Sequence, residues 1–347
     1  MYTAIYGVMA FLGLIFRDRR TEYAVLFLAM VFLVLFMGTR YYVGCDYGGY
    51  LSRYENMSTH ATIGSAIFAT EPGFNLLMWF VVTERMDFMW VNLFSSMIML
   101  GCYWYFLREF RNPMTILALL FPIVFLQLGM SGLRQGIAVS MIAAASVPFL
   151  NGKRWQVLAW VLLAAQFHTS AYMFLPIAAL VGTRVTFGKA TWAIMALLPF
   201  VLWFLADRLS VYQDRYVNEI YGDQSSGGAV FRYLLMLPAA LLFFLNLDKL
   251  KARFPKKFEL LKTWSLGIIA LAPLTVLSTF ALHRISYYFM PLNIVTFVYV
   301  SMVTFRRKEV ALGLLIPPLF YGIYTIGWQS MSSHFRACYV PYQSVLF

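Results

Sequence analysis

Residues 114–150 read MTILALLFPIVFLQLGMSGLRQGIAVSMIAAASVPFL, a long apolar stretch whose single charge is Arg134. Both halves are apolar enough to sit in hydrocarbon, yet Pro122 and the Gly/Ser run at 129–132 interrupt any continuous helix. Backbone freed in this way is tolerated at membrane depth only where it faces protein or a water-filled space. The stretch therefore predicts a polytopic membrane protein with an internal site near the interruption.

Working outward, the same character recurs along nearly all 347 residues: 61% are hydrophobic and 12% charged, which excludes a pair of soluble domains. The fold class expected is all-α and polytopic, about twelve transmembrane helices including short, broken and re-entrant ones. The apolar runs lie at 2–16, 23–39, 88–107, 114–129, 133–150, 155–168, 170–182, 189–206, 230–247, 263–282, 285–304 and 309–327. One integral membrane domain, 1–347, accounts for the chain, with outward loops at 40–72 and 207–229 and a cytoplasmic basic loop at 248–262. Glu71–Val82 is too short to cross and reads as re-entrant or interfacial. Tyr2–Phe16 has no basic stretch before it and no small-residue cleavage pattern, so it is expected to be a retained helix.

Orientation comes from charge. Placing Arg17–Arg20 in the cytoplasm puts eighteen of the 27 Lys and Arg and six of the 15 acids inside, with both termini outside. The inner face then carries the whole net charge of +12, the positive-inside pattern of a plasma membrane, and nucleic acid needs no place in the account. The outer basic residues are Arg40, Arg53, Arg85, Arg134, Arg208, Arg215, Arg232, Arg284 and Arg336, every one arginine, while all the lysines fall inside. A planar, permanently charged fork grips phosphate through two bonds at once, so this set points to an oxyanion ligand.

Arg40, Arg134, Arg232 and Arg284 sit at helix ends against apolar sequence, as functional cations do; snorkelling or acid-paired structural arginines look the same. Arg53, Arg208, Arg215 and Arg336 lie in polar surroundings and read as loop residues. Asp46 and Glu71, embedded in Tyr/Gly-rich and Pro/Gly-rich sequence, are candidate bases. Asp207, Asp214, Glu219 and Asp223 belong to a polar loop whose Gly222–Gly228 tract suits a lid or a solvated connector. His168 stands within a polar run with Gln166, Thr169 and Ser170, beside the remaining outer-side histidines 60, 283 and 334. Tyr41, Tyr42, Tyr47, Tyr50 and Tyr54 suit either stacking on sugar rings or an interfacial belt. The three cysteines show no metal-ligand spacing, and no metal site is expected. A disulfide could be argued only for Cys45 with Cys338, and the sequence weighs against it.

Taken in order, Gly38-Thr39-Arg40-Tyr41-Tyr42-Val43-Gly44-Cys45-Asp46-Tyr47-Gly48-Gly49-Tyr50, Glu71-Pro72-Gly73-Phe74, Leu133-Arg134-Gln135-Gly136-Ile137-Ala138, Phe167-His168-Thr169-Ser170-Ala171 and Val340-Pro341-Tyr342 resemble the EpsG family of polysaccharide-polymerising membrane proteins. That family is related to the Wzy-type O-antigen, capsule and exopolysaccharide polymerases. Cys45 departs from the pattern, standing where Thr or another small polar residue is expected, and leaves Asp46 in place. The resemblance implies a glycosyltransferase of GT-C-like architecture in the bacterial inner membrane. Its site would face the periplasm and join undecaprenyl-diphosphate-linked oligosaccharides, donor to acceptor, with no cofactor. A chain-length-regulating protein is a further partner. Arg40, Asp46, Tyr50, Glu71, Arg134, Gln135 and His168 carry over by motif. In that reading Arg134, with Arg40, Arg232 and Arg284, holds the diphosphate, and Asp46, Glu71 or His168 readies the acceptor hydroxyl. Tyr47, Tyr50 and Gln135 contact sugar. An outer side without a DxD-like acidic pair fits catalysis without a divalent ion.

Three other readings share features of the sequence. An O-antigen ligase uses the same donor but attaches finished chains to another lipid. A transporter or flippase of lipid-linked sugars would also want broken helices and outward arginines, though no repeat of the motifs between halves is visible. Gly129-Met130-Ser131-Gly132 matches the GxSG pattern of rhomboid-type intramembrane proteases, with His168 or His283 as the partner; the compact core and His-bearing motif of such enzymes are missing.

Overall fold

Unbroken apolar sequence leaves the backbone one local way to pair its own N–H and C=O groups, the helix. The computed structural model is helical accordingly, and it describes residues 1–60, 62–183, 188, 227–305 and 310–346. Among these no strand occurs, only an isolated bridge between Arg40 and Ser344. The helices used below are α1 (Tyr2–Ile15), α2 (Arg19–Gly38), α3 (Tyr47–His60), α4 (Pro72–Thr83), α5 (Met89–Leu107), α6 (Pro113–Leu120), α7 (Leu133–Leu150), α8 (Arg154–Phe167), α9 (Gly227–Leu245), α10 (Pro255–Ala270), α11 (Thr279–Thr304), α12 (Ile316–Met331) and α13 (Ser333–Tyr339).

Five of them, α2, α5, α7, α9 and α11, are long and apolar enough to cross a membrane. The expectation of about twelve spans is thus met only in part; α1, α4 and 113–129 are shorter apolar helices, and the expected span 189–206 and loop 207–226 lie outside the described residues. The most apolar window of α11 is 100% buried and that of α7 is 89% buried, against 39% for α2 and 44% for α9. The first two are therefore the bundle's centre, and the other two turn a face to lipid.

Several boundaries differ from the expected ones for local reasons. The segment 40–72 is not a plain loop: it holds α3 and a short helix at Ile63–Ile67, whose Thr62 hydroxyl caps the Ser65 N–H at 3.2 Å. The basic segment 248–262 is also helical, as Leu247–Arg253 and the opening of α10, where Pro255 takes the first-turn position that needs no N–H donor. The break expected at 283–284 falls instead at 271–278. There Pro273 interrupts the chain, and the Ser278 hydroxyl accepts the Ala281 N–H at 3.2 Å to start α11 early. His283 and Arg284 consequently stand on the second turn of a helix. The expected helix 170–182 is a 3₁₀ turn, Thr169–Phe174, followed by Ile177–Leu180. The interruption expected at 129–132 is present: α6 widens into a π-helix, Phe121–Gly129, around Pro122, before the break at 130–132 releases α7.

The two ends of the bundle differ. At one, Lys257 donates to the Glu109 carbonyl and lies 3.8 Å from its carboxylate, Arg253 donates to the Met302 carbonyl at 2.6 Å, and the Arg111 N–H donates to the Tyr299 hydroxyl at 3.0 Å. At the other, the Tyr2 hydroxyl donates to the Tyr339 carbonyl at 2.7 Å, and Arg40, Asp46, Glu71 and Arg134 gather. Residues that the charge count places on opposite faces thus meet at opposite ends. Helix α4 begins and ends at the second of these, since Glu71 before it meets Arg134 and Met86 beyond it accepts from Tyr54 at 2.6 Å. It does not cross.

The C-terminal segment is tied to the start of the 40s loop. The Tyr41 N–H donates to the Gln343 carbonyl at 2.9 Å, Val345 N–H to Thr39 at 2.8 Å and Gly44 N–H to Cys338 at 2.7 Å. The bridge that the sequence weighs against is present: Cys45 and Cys338 are disulfide-bonded across 293 residues, with Cα atoms 4.9 Å apart. Gly44 makes the approach feasible. Its φ is +108°, and a Cβ there would lie 2.0 Å from the Met130 carbonyl oxygen, so only glycine lets the loop press onto the break before α7.

Candidate active site

The interruption between α6 and α7 positions the first candidate side chains. With the Cys45 N–H donating to the Ser131 hydroxyl at 3.0 Å, the loop fixes Asp46 beside the start of α7, where Arg134 stands in the first turn. Glu71 occupies the position before α4; its carbonyl accepts the Asn75 N–H at 3.2 Å, but its side chain makes no bond to that helix's N–H groups. Its carboxylate turns away instead. One oxygen pairs with the Arg134 guanidinium, and the other accepts the Thr169 N–H at 3.4 Å and lies 3.8 Å from His168 Nδ1. The Glu71 side chain is 8% exposed and that of Arg134 is 34% exposed, so this ion pair keeps one solvent-accessible side.

The second half comes from α8 and α11. His168 ends α8 in extended conformation, which directs its ring off the helix axis toward α11. Arg284 NH1 donates to His168 Nε2 at 3.0 Å, and Gln135 Nε2 donates to the Arg284 carbonyl at 2.6 Å, joining α7 to α11 at the site. On the far side of the His168 ring, the Ser170 hydroxyl lies 2.9 Å from Nδ1 and 2.9 Å from the Tyr288 hydroxyl. Arg232, on α9, extends the set: its NH1 donates to His283 Nδ1 at 3.3 Å, and its guanidinium carbon lies 3.9 Å from the Tyr287 ring centre.

Asp46 lies within electrostatic reach of both Arg134 and Arg284. It is accessible to solvent, yet the protein packed around it pushes its carboxyl above the usual carboxylate range, with the two guanidinium groups pulling the other way. Arg53, Arg134 and Arg284 face two carboxylates, Asp46 and Glu71, with Arg232 adjoining through His283, so the cluster keeps an excess of positive charge and is chemically suited to an anion.

A model of the EpsG family matches residues 23–344. The chain belongs to the EpsG family. That is a family of Wzy-like polymerases, which sets the activity at family level as glycosyl transfer that builds polysaccharide, and every residue of the cluster falls inside the matched span. Neither a search of curated proteins nor one of solved structures finds a match.

Within this EpsG-family chain, Asp46, Glu71, Arg134, Gln135, His168 and Arg284 come together as a group, with Tyr50 beneath Arg134, its hydroxyl 3.5 Å from Nε. Arg232 adjoins it through His283. Arg40 behaves differently: it is 0% exposed and donates to the Val43 carbonyl at 2.9 Å and to the Met37 carbonyl, binding the loop to the end of α2. Burial pulls its pKa down to about 10, which still leaves it charged. Tyr47 and Tyr50 are buried, whereas Tyr41 and Tyr42 in the same segment are 47% and 57% exposed. Arg85 and Arg336 are exposed away from these contacts; Arg208, Arg215 and the acids at 207, 214, 219 and 223 lie outside the described residues.

Sequence reasoning passed over Arg53 and Tyr288. Arg53 donates to Asn75 Oδ1 at 2.5 Å, and Asn75 donates to the Glu71 carbonyl at 2.9 Å, bracing the acid from below. Both had a signal: Arg53 is one helical turn from Tyr50 and Tyr288 one turn from Arg284. Ser131 of the GxSG pattern takes the Cys45 N–H and pairs with the Tyr339 hydroxyl at 2.7 Å, a structural position with Tyr339 in place of a histidine. Cys45, His334 and Cys338 bring potential metal-ligand atoms within 4.8 Å of one another, but the two sulfurs are bonded to each other.

Proposed function

We propose that this chain is a polysaccharide polymerase that transfers an oligosaccharide from undecaprenyl diphosphate to the end of another lipid-linked repeat unit, at the outer face of the bacterial inner membrane. The observation that carries the reading is the meeting of Arg134, Arg232 and Arg284 with Asp46, Glu71 and His168 from separate segments at one end of the bundle. In the reaction, the acceptor hydroxyl oxygen bonds to the donor's anomeric carbon as the bond to diphosphate breaks. Negative charge grows on the departing diphosphate, and guanidinium groups fixed in a partly desolvated place stabilise it. They do the work a divalent ion performs elsewhere, because each carboxylate here is faced by arginine.

Glu71 is committed to orienting Arg134, which leaves Asp46 and His168 as groups able to receive the acceptor's proton. Tyr41 and Tyr42 present exposed rings to sugar, with Gln135 holding the Arg284 backbone in register. The orientation has separate support: the disulfide beside Asp46 belongs in an oxidising compartment, so the site end faces outward. The GT-C-like architecture belongs to this same proposal.

The test is purified full-length protein in nanodiscs with a synthetic lipid-diphosphate repeat unit and no other protein, with and without EDTA. A ladder of increasing repeat number in both arms is expected. A single transfer to a different lipid would make the protein a ligase, movement of the intact lipid without new linkage would make it a transporter, and loss of the ladder in EDTA would end the metal-independent mechanism.

A further inference from the structure

The cations of this site are held in two different ways. Arg134 is paired with a carboxylate, so its charge is already balanced. Arg284 and Arg232 donate to imidazoles, His168 at 3.0 Å and His283 at 3.3 Å. A guanidinium has no lone pair and can only donate, so the ring nitrogen facing each arginine must be the unprotonated one. An imidazole in that state carries no charge, so this bond of each arginine is to a neutral ring, and the Asp46 carboxylate lies within electrostatic reach of Arg284 as well. Arg232 is 5% exposed, and its Nε has no hydrogen-bond partner among the described residues.

The tautomer of His168 follows from the same constraint. With Nε2 accepting from Arg284, the neutral ring carries its proton on Nδ1, where the Ser170 hydroxyl at 2.9 Å can accept it and pass its own proton toward the Tyr288 hydroxyl, 2.9 Å beyond. Glu71 Oε1, 3.8 Å from Nδ1, also favours an N–H there. The Ser170 N–H, 3.2 Å from Nδ1, favours the opposite tautomer. That choice would set an N–H against the Arg284 cation, and the charge-assisted bond is the stronger of the two.

We propose that Arg284 masks the catalytic lone pair of His168 and that the donor's diphosphate unmasks it. This inference rests on the lipid-diphosphate reading above and adds to it a gate. A diphosphate entering beside Arg284 and Arg232 offers each guanidinium a charged oxygen acceptor in place of a neutral nitrogen, and the arginines move to it. His168 Nε2 is then open, next to the anion, where a positive imidazolium is favoured. The acceptor hydroxyl attacks the anomeric carbon, and the electrons of the breaking carbon–oxygen bond leave on the diphosphate. The hydroxyl proton goes to Nε2, from which water later removes it. Ser170 and Tyr288 are positioning residues that keep the proton on Nδ1 so that Nε2 is the nitrogen presented. Without a diphosphate beside Arg284, the base stays occupied.

The test uses full-length protein in nanodiscs, labelled with ¹⁵N-histidine, and farnesyl diphosphate as a probe that carries no transferable sugar. The His168 ring signals are assigned by difference with His168→Gln. Solid-state NMR of ligand-free protein should show a protonated Nδ1 and a hydrogen-bonded Nε2. Farnesyl diphosphate should shift Nε2 and leave Nδ1 protonated, while farnesyl monophosphate shifts it less and farnesol not at all. In Arg284→Gln the Nε2 signal should no longer respond, and the probe should bind about tenfold or more weakly, the loss expected for a charge-assisted bond. Ser170→Ala should mix the tautomers while leaving probe affinity near wild type, a result that a merely structural serine would not give. Binding of the diphosphate with an unmoved Nε2, or an Nε2 that is protonated at rest, overturns the gate alone. Failure of wild-type protein to bind the diphosphate overturns both the gate and the lipid-diphosphate reading.

Discussion

Two arginine-bearing regions lie at the same end of this bundle, and they use their charge in opposite ways. Around Arg40 the guanidinium is fully buried and bound to backbone carbonyls of Met37 and Val43, with the disulfide and a set of main-chain bonds closing the C-terminal segment over the loop. Around Arg134, Arg232 and Arg284 the partners are side chains that carry charge or can titrate, and Arg134 and Asp46 reach solvent. Carbonyl partners fix a cation for good, because removing them leaves buried acceptors unpaired. Side-chain partners can be exchanged for a substrate's oxygens. The kind of partner, more than burial, separates the arginine that builds the loop from those suited to chemistry.

The comparison would break most visibly at Arg134. Replacing it with Lys keeps the charge but loses the fork, and chain extension should fall roughly a hundred- to thousand-fold, the range for removing one stabiliser of developing negative charge. The thermal midpoint should stay near wild type, since Glu71 keeps a cationic partner. Turnover of a synthetic repeat unit measured beside thermal unfolding separates the two quantities, and an equal loss in both would class Arg134 with Arg40.

Arg40→Met is the mirror experiment. Two carbonyls lose their donor in a buried place, which should cost about 2–5 kcal/mol of stability, while the rate per folded molecule stays within a few-fold of wild type. Quantifying folded protein by size-exclusion before the rate assay checks this, and a fully folded but inactive variant would return Arg40 to the diphosphate. Cys338→Ser should act in the same sense and less strongly, by about 2–4 kcal/mol for losing a cross-link that closes a long loop. Reductant should lower the wild-type midpoint and leave that of the variant unchanged.

Much of the candidate cluster is legible in the sequence, because Glu71, Arg134 and His168 each interrupt apolar sequence beside a helix break, where a charge has to be accounted for locally. Arg40 shows the same local pattern and was read the same way, since nothing in its neighbours reveals that the chain folds back to offer it two carbonyls. The disulfide joins residues 293 apart, and such closure depends on Gly44 reaching Met130, a tertiary fact. The start of α11 was misplaced by giving the charges at His283 and Arg284 more weight than the cap at Ser278. Tyr47 and Tyr41 differ only in which side of the loop meets the bundle, which spacing along an irregular segment does not encode.

The finest distinction between the regions lies in the sign of a small stability change at Asp46. Protein packed around this carboxyl raises its pKa in the folded state, and Arg134 and Arg284 only partly oppose that. A raised carboxyl means that the folded chain holds its proton more tightly than the unfolded chain, so stability falls as pH rises from the unfolded value of about 3.9 through the folded one, and stays lower above it. Asn carries no such cost. Asp46→Asn should therefore be slightly more stable than wild type at neutral pH, with the gap closing as pH drops below the ordinary Asp value, even as chain extension declines. Thermal unfolding across that pH range reads the sign directly. A variant less stable than wild type at neutral pH would mean that the arginines need this carboxylate to stay folded, and Asp46 would then belong with the structural partners of the Arg40 region instead of with groups held ready for a substrate.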